Sequence, residues 1–300
     1  MLRTPDADEV IAAALAEDLG VSALRILDPR LASPDLLDAD VTSTATVVVA
    51  EVSGRVVMRS AGVVCGLPVV ARLFELLSRA CASEPVECDP LVAEGAIVEA
   101  GTSVLEIAGP ARVILAGERS ALDLMMVLSG IATEARRWQE AAGPSLVVTD
   151  TRKTLPGLRE LSKHAVRVGG AVNHRAGLYD MVLIKDNHIA ASGGVAEAVR
   201  AARTRYPDLV VECEADTIEQ AADAARAGAD IVLLDNMDDA TLASAVVAVR
   251  EAAGERACLT EASGGITFGR LPGLAATRVD RVSTSALTLA RPLDVALDLD

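Results

Sequence analysis

Between residues 145 and 286 the chain alternates between two spacings of apolar residues. Short β-branched runs, SLVVTD (145–150), MVLIKD (181–186), LVVECEA (209–215), IVLLDN (231–236), ACLTEASGG (257–265) and VDRVSTSA (279–286), have the length and composition of buried strands. The stretches between them, 157–170, 194–206, 217–229 and 239–254, with a shorter one near 267–276, repeat their apolar positions every three to four residues, as amphipathic helices do. Strand and helix in strict alternation predict a parallel sheet with crossover helices. About six strands leave an open doubly wound sheet or a barrel. The strand ends favour the barrel. Each run finishes on polar side chains: Asp150 to Lys153, Lys185 and Asp186, Glu212 and Glu214, Asp235, Glu261 with Ser263, and Ser283 with Ser285. Residues at i and i+2 share a strand face, so Glu212 and Glu214 point together into a barrel interior. No GxGxxG follows the first strand of the series, which counts against a dinucleotide sheet.

Upstream the texture differs. Asp6 or Asp8 is placed to cap a helix with an apolar stripe through Val10, Ile11, Ala14 and Leu15 and a stop at Gly20. Residues 21–40 are rich in Pro and Asp without a period and read as a loop. Thr44 to Gly66 holds β-branched runs broken by glycine, a hairpin or meander; 67–82 reads as a helix, and 86–109 again as short strands. A long apolar-periodic helix covers about 111–141, interrupted by Gly117 and Gly130. The first hundred or so residues are therefore an α+β unit ahead of the barrel.

Composition narrows the function. At 51% hydrophobic, 300 residues bury a substantial core, and the acidic N-terminus with no run of eighteen apolar residues is the pattern of a cytoplasmic protein without a membrane span. Five cysteines with no CxxC signal neither a disulfide framework nor a zinc site. A net charge of −15 argues against a nucleic-acid partner. Against that background only three of 28 cationic residues are lysine, and Lys153, Lys163 and Lys185 all fall close to the three histidines, His164, His174 and His188. A local excess of cations in an acidic chain points to a small anionic ligand in a cleft, and a retained ammonium to a site that needs a compact charge rather than a guanidinium fork. Lys163 reads as a helix-surface residue.

At the predicted barrel mouth Arg152, Lys153, His174, Arg175 and Lys185 would converge with Glu212, Glu214 and Asp235. The segment EASGGI (261–266) offers Ser263 and the N–H groups of Gly264 and Gly265 to a phosphate. Two carboxylates can hold Mg²⁺ through oxygen ligands or stabilise a ribosyl oxocarbenium ion. A lysine ending a barrel strand also suits a Schiff-base lyase, with Lys185 as nucleophile.

The motifs DTRKTLPG (150–157), AVRVGGAVNHR (165–175), LYDMVLIKDNHI (178–189), VECEAD (211–216), IVLLDN (231–236) and EASGGI (261–266), with GERSALDLMMVLSGIAT (117–133), resemble quinolinate phosphoribosyltransferase, the decarboxylating nicotinate-nucleotide pyrophosphorylase family. The resemblance covers most of 112–300 and is weaker at DVTSTATV and AGVVCGL. It implies an α/β fold with an N-terminal α/β sandwich domain (1–116), completed by a C-terminal strand (289–300), and an incomplete parallel α/β barrel (117–288). It implies phosphoribosyl transfer from phosphoribosyl pyrophosphate to quinolinate with loss of CO₂, using Mg²⁺, in a homodimer with shared sites. Arg152, His174 and Arg175 would bind the quinolinate carboxylates, joined by Arg119 from the neighbouring subunit. Lys153 and Lys185 would meet phosphates or the reacting centre, Glu214 and Asp235 the ribose and metal, and Ser263, Gly264, Gly265, Ser283 and Ser285 the phosphate. His188 would organise the Lys185 loop.

The chain departs from the family pattern in places. Ser285 stands where a glycine is expected, Asp123 where Asn is expected beside Arg119, and 22–37 reads as an insertion. These departures leave open a divergent phosphoribosyltransferase that acts on another pyridine carboxylate.

Overall fold

The structure, a computed structural model, describes residues 6–300; the first five, part of the acidic N-terminus read above, lie outside it. In chain order the elements begin with α1 (Asp8–Leu19), α2 (Ala23–Leu27), α3 (Val41–Thr46), β1 (Glu51–Met58), β2 (Gly62–Val63), α4 (Leu67–Ala80), β3 (Glu87–Pro90), β4 (Ile97–Val98), β5 (Thr102–Pro110) and α5 (Ala111–Ala142). They continue with β6 (Val147–Thr149), α6 (Arg159–Val168), β7 (Val182–Ile184), α7 (Asp186–Ser192), α8 (Val195–Arg205), β8 (Val211–Ala215), α9 (Ile218–Ala227), β9 (Ile231–Asp235), α10 (Asp239–Ala253), β10 (Leu259–Ser263), α11 (Leu271–Ala276), β11 (Arg281–Ser283) and β12 (Val295–Leu299). Two compact units result. One takes residues to 134 with 155–169 and 289–300, the other 135–154 and 170–288, so the division falls inside α5 rather than at 116/117.

The first unit carries an antiparallel sheet in the order β12-β1-β5-β3, with the last strand of the chain paired along β1. α4 starts where Glu94 accepts the N–H groups of Gly66 and Leu67, and it buries Leu73, Phe74, Leu76 and Leu77. α5 runs unbroken through both glycines expected to interrupt it. Their role is close approach: a Cβ at Gly130 would stand 2.2 Å from the Arg291 carbonyl oxygen, and one at Gly117 2.7 Å from the Phe74 ring. Neighbouring chain, not a kink, explains them.

Other expectations need correcting. Residues 21–40 are not a loop: α2 and two 3-10 turns (Pro29–Leu31 and Pro34–Ala39) fill the stretch, with Pro at the start of each turn and Asp28 accepting the Arg30 N–H. α1 begins at Asp8 behind Ala7, with the Asp6 carboxylate accepting the Asp8 N–H at 3.3 Å, and ends at left-handed Gly20 as expected. The β-branched run 41–46 is helical because Asp40 accepts the N–H groups of Thr42 and Ser43; strand geometry starts only at Glu51. Lys163 is not a surface residue. It is 3% exposed on α6, whose residues belong to the first unit although they lie between β6 and β7 in sequence.

The second unit is a parallel six-stranded sheet in the order β6-β11-β10-β9-β8-β7, an incomplete α/β barrel with β6 and β7 as its two edges. A single parallel bridge from Thr149 to Val172 extends the β6 edge. Alanines 221, 222, 224 and 225 on α9 are buried, small enough to let the helix sit close. Among the described residues no helix is long and apolar enough to cross a membrane.

Gly130→Ala should lower stability by about 1–3 kcal/mol, since α5 and the 291–292 backbone must part. Thermal unfolding checks this; an unchanged midpoint would show the approach to be loose.

Candidate active site

All six strands of the second unit run the same way, so their carboxyl ends share one rim, the position used by barrel enzymes. β6 leads into Asp150–Lys153, β7 into Lys185, and β8 carries Glu212 and Glu214. β9 ends at Asp235, β10 at Ser263, and β11 at Ser283 with Ser285 two residues on. His174 and Arg175 follow the Val172 bridge. Asp180 accepts the N–H groups of Ala176 and Gly177 and so fixes the loop that carries them.

Three groupings organise the rim. The Lys185 ammonium lies 2.7 Å from a Glu214 oxygen, and carboxylate oxygens of Glu214, Asp216 and Asp235 lie within 4.8 Å of one another. The Lys185 N–H donates to His188 Nδ1 at 2.9 Å, which places His188 at the start of α7. Arg175 lies near enough to Arg152 that burial, and then the second positive charge, lowers its pKa below the ordinary guanidinium value. Two guanidiniums near enough to act on each other's surroundings have the chemistry to receive a paired anion. The third grouping is a turn. Gly264 and Gly265 both take left-handed φ, 81° and 57°, and a Cβ at Gly264 would fall 2.3 Å from the Asn236 side chain. Only glycine fits at 264, and that opens backbone N–H groups to an anion. Lys153 is exposed on a segment held by the Thr288 hydroxyl, which donates to the Lys153 carbonyl at 2.7 Å.

Beneath the rim lies a buried charge cluster. Glu212 and Glu261 are both 0% exposed. His174 Nε2 lies 2.8 Å from Glu212 and 3.6 Å from Glu261, and Arg281 Nε lies 3.3 Å from the far oxygen of Glu261. Burial and the adjacent Glu212 push the Glu261 carboxyl up to about 7. Burial acts against charge on His174, but the hydrogen bond and field of Glu212, with Glu261, outweigh it and raise its pKa above the ordinary imidazole value. Asp150, also fully buried, accepts the His174 N–H at 2.7 Å.

The second unit thus brings together Arg152, Lys153, His174, Arg175, Lys185, Glu214, Asp235, Ser263, Gly264, Gly265, Ser283 and Ser285. Arg119 lies in the first unit, on an exposed face of α5, paired with Asp123 at 3.2 Å. The negative charge that the sequence placed near Arg119 is therefore in contact with it. Sequence reading assigned no role to Glu261, Arg281, Asp150 or Asn236. The i,i+2 rule that turned Glu212 and Glu214 inward also turns Glu261 inward with Ser263, and that parity was the available signal.

A parallel barrel whose strand ends gather cations, carboxylates and a glycine turn is the layout of an enzyme for anionic substrates. Two family models match the chain: quinolinate phosphoribosyl transferase, N-terminal domain, over residues 40–129, and quinolinate phosphoribosyl transferase, C-terminal domain, over 131–298. A probable nicotinate-nucleotide pyrophosphorylase [carboxylating] of Synechocystis is 43% identical over 249 residues, 82% of each chain. The nicotinate-nucleotide pyrophosphorylase [carboxylating] of Mycobacterium leprae is 40% identical over 263 residues, covering 87% of this chain and 91% of that one. Among solved structures, the nicotinate-nucleotide pyrophosphorylase from Ehrlichia chaffeensis superposes with a TM-score of 0.85 at 29% identity, covering 99% of this chain and 100% of the other. The chain belongs to the quinolinate phosphoribosyltransferase family.

A carboxyl with a raised folded pKa contributes stability below its unfolded value of about 4.5 and loses it as pH climbs through about 7. His174, raised as well, loses its contribution in the same direction. Glu261→Gln removes the first of these, so its melting temperature should gain on the native chain between pH 5 and pH 7. A constant difference in paired melts across that interval would contradict the assignment.

Proposed function

We propose that the protein transfers a phosphoribosyl group from phosphoribosyl pyrophosphate to quinolinate and releases nicotinate mononucleotide, pyrophosphate and CO₂. The relatives' name reads the same reaction from the mononucleotide side, where CO₂ is taken up. The observation that carries the reading is that Arg152 and Arg175, close enough for the charge of Arg152 to act on Arg175, stand on a rim that also holds two lysines, an acidic group and a glycine turn. A planar dicarboxylate suits guanidinium forks, and phosphates suit ammonium groups and backbone N–H donors. In this reading Arg152 and Arg175 hold the quinolinate carboxylates and aim the ring nitrogen at ribose C1. Gly264, Gly265 and Ser263, with Ser283 and Ser285, take the 5′-phosphate, the Ser285 hydroxyl donating where the family pattern has a glycine.

The nitrogen–C1 bond forms as the C1–oxygen bond to pyrophosphate breaks. Lys153 and Lys185 meet the charge that builds on the departing pyrophosphate, and Glu214 and Asp235 face the positive charge that builds on the ribose. The product pyridinium draws in the electrons of the bond to the adjacent carboxylate, so CO₂ leaves and a solvent proton replaces it. The oxygen-only donor set of Glu214, Asp216 and Asp235 fits a hard divalent ion such as Mg²⁺. Bound there, Mg²⁺ would supply charge neutralisation for the pyrophosphate.

The site would be completed by Arg119 from a second copy, making the working form a homodimer. A cytoplasmic setting agrees with the five cysteines standing as free thiols. The lyase alternative loses support from the Lys185–Glu214 contact, because a Schiff-base lysine needs a desolvated amine rather than a half-exposed ion pair.

Incubation with quinolinate, phosphoribosyl pyrophosphate and Mg²⁺ should give nicotinate mononucleotide and CO₂; turnover of another pyridine carboxylate with none of quinolinate would replace the acceptor. Arg175→Ala should cost about 1.5–3 kcal/mol, a rise of roughly 10- to 150-fold in the quinolinate KM, whereas Lys153→Ala should act mainly on kcat. Steady-state kinetics with each substrate varied separately the two. Mixing Arg119→Ala with Arg175→Ala chains should restore about one working site per heterodimer if Arg119 crosses between copies; no recovery places it elsewhere.

A further inference from the structure

We propose that Glu212 and Glu261, buried beneath the rim, are positioning residues that orient Arg175 through the imidazole of His174. The proposal rests on the reading of Arg175 as a carboxylate holder and deepens it. Two adjacent carboxylates inside a barrel are costly, and apolar side chains of the same volume would fill the space at less cost, so stability alone does not account for them. What they meet is His174, with Nε2 2.8 Å from Glu212 and 3.6 Å from Glu261. A proton on Nε2 facing the acids leaves the lone pair on Nδ1, and the Arg175 N–H donates to Nδ1 at 2.9 Å. The opposite tautomer would set two N–H groups head to head. The acids therefore select the tautomer, and the tautomer fixes the Arg175 backbone.

A second bond braces the same stretch. The His174 N–H donates to Asp150, two residues before Arg152, so both guanidiniums hang from one hydrogen-bonded frame. Glu212 also supplies negative charge near Arg175, against the repulsion from Arg152. Arg281 at 3.3 Å, with Ser283 alongside on β11, balances Glu261. Both ring nitrogens of His174 face the protein, which gives it a supporting role in place of direct contact with a substrate carboxylate.

The test uses the full chain with ¹⁵N-labelled histidine, His174 being assigned by comparison with His174→Gln. Long-range ¹H–¹⁵N spectra near pH 8 should show Nε2 protonated and Nδ1 bare. Glu212→Gln should disturb that pattern and raise the quinolinate KM at least about tenfold, with the phosphoribosyl pyrophosphate KM within about twofold and partial recovery in Glu212→Asp. If Glu212→Gln fails to fold, Glu261→Gln should show the same split at about threefold. The proposal falls if native His174 carries its proton on Nδ1 or on both nitrogens, if a folded Glu212→Gln chain keeps its quinolinate KM, or if both Michaelis constants rise together. A native chain that makes no nicotinate mononucleotide sinks the functional reading instead, and the tautomer result stands apart from it.

Discussion

Like charges held close together demand a counterweight, and that constraint governs this protein. Arg152 sits near enough to Arg175 that its charge, added to partial burial, lowers the proton affinity of Arg175. The chain's overall charge of −15 does not by itself supply the compensation, because distant surface acids are screened by water. It comes from Glu212, buried beneath the rim where the field is least damped, and from Asp180 in the adjoining loop. The barrel supports this because its parallel strands deliver alternate side chains to a common interior, so one strand can place Glu212 inside and Glu214 nearer the opening.

Much of this was legible in the sequence, for a physical reason. Strand and helix periods survive in the second unit because its strands are short, buried and punctuated by caps such as Thr217 before α9 and Asp238 before α10. The positions of Lys185, Glu214 and Asp235 follow from that periodicity alone. Residues 44–46 misled because a capping aspartate, a local hydrogen-bond matter, overrode β-branched propensity. Lys163 misled for a different reason. Its periodicity marked a helix correctly, but the unit in which that helix is buried is chosen by tertiary structure, and no local pattern encodes it. The buried acids lay in plain view at strand ends, yet contact with His174 joins β8 and β10 through a loop far from either in sequence.

The glycines divide along the same line. Gly264 is explained by its own dihedral angle and the Asn236 side chain, so a reader of the motif can anticipate it. Gly130 is explained by a carbonyl more than 160 positions away, at Arg291, and only a folded chain reveals it.

The unit formed by the N-terminal residues borrows its edge strand, β12, from beyond the whole barrel series, and its helix α6 from the middle of that series. On the ribosome, β1 therefore waits with an unpaired edge until the barrel segments and residues 295–299 have been translated. The barrel segments emerge and can collapse before that happens. Synthesis thus closes the half made first only after the half made second, and a nascent chain released early would expose a sheet edge prone to pairing with its neighbours.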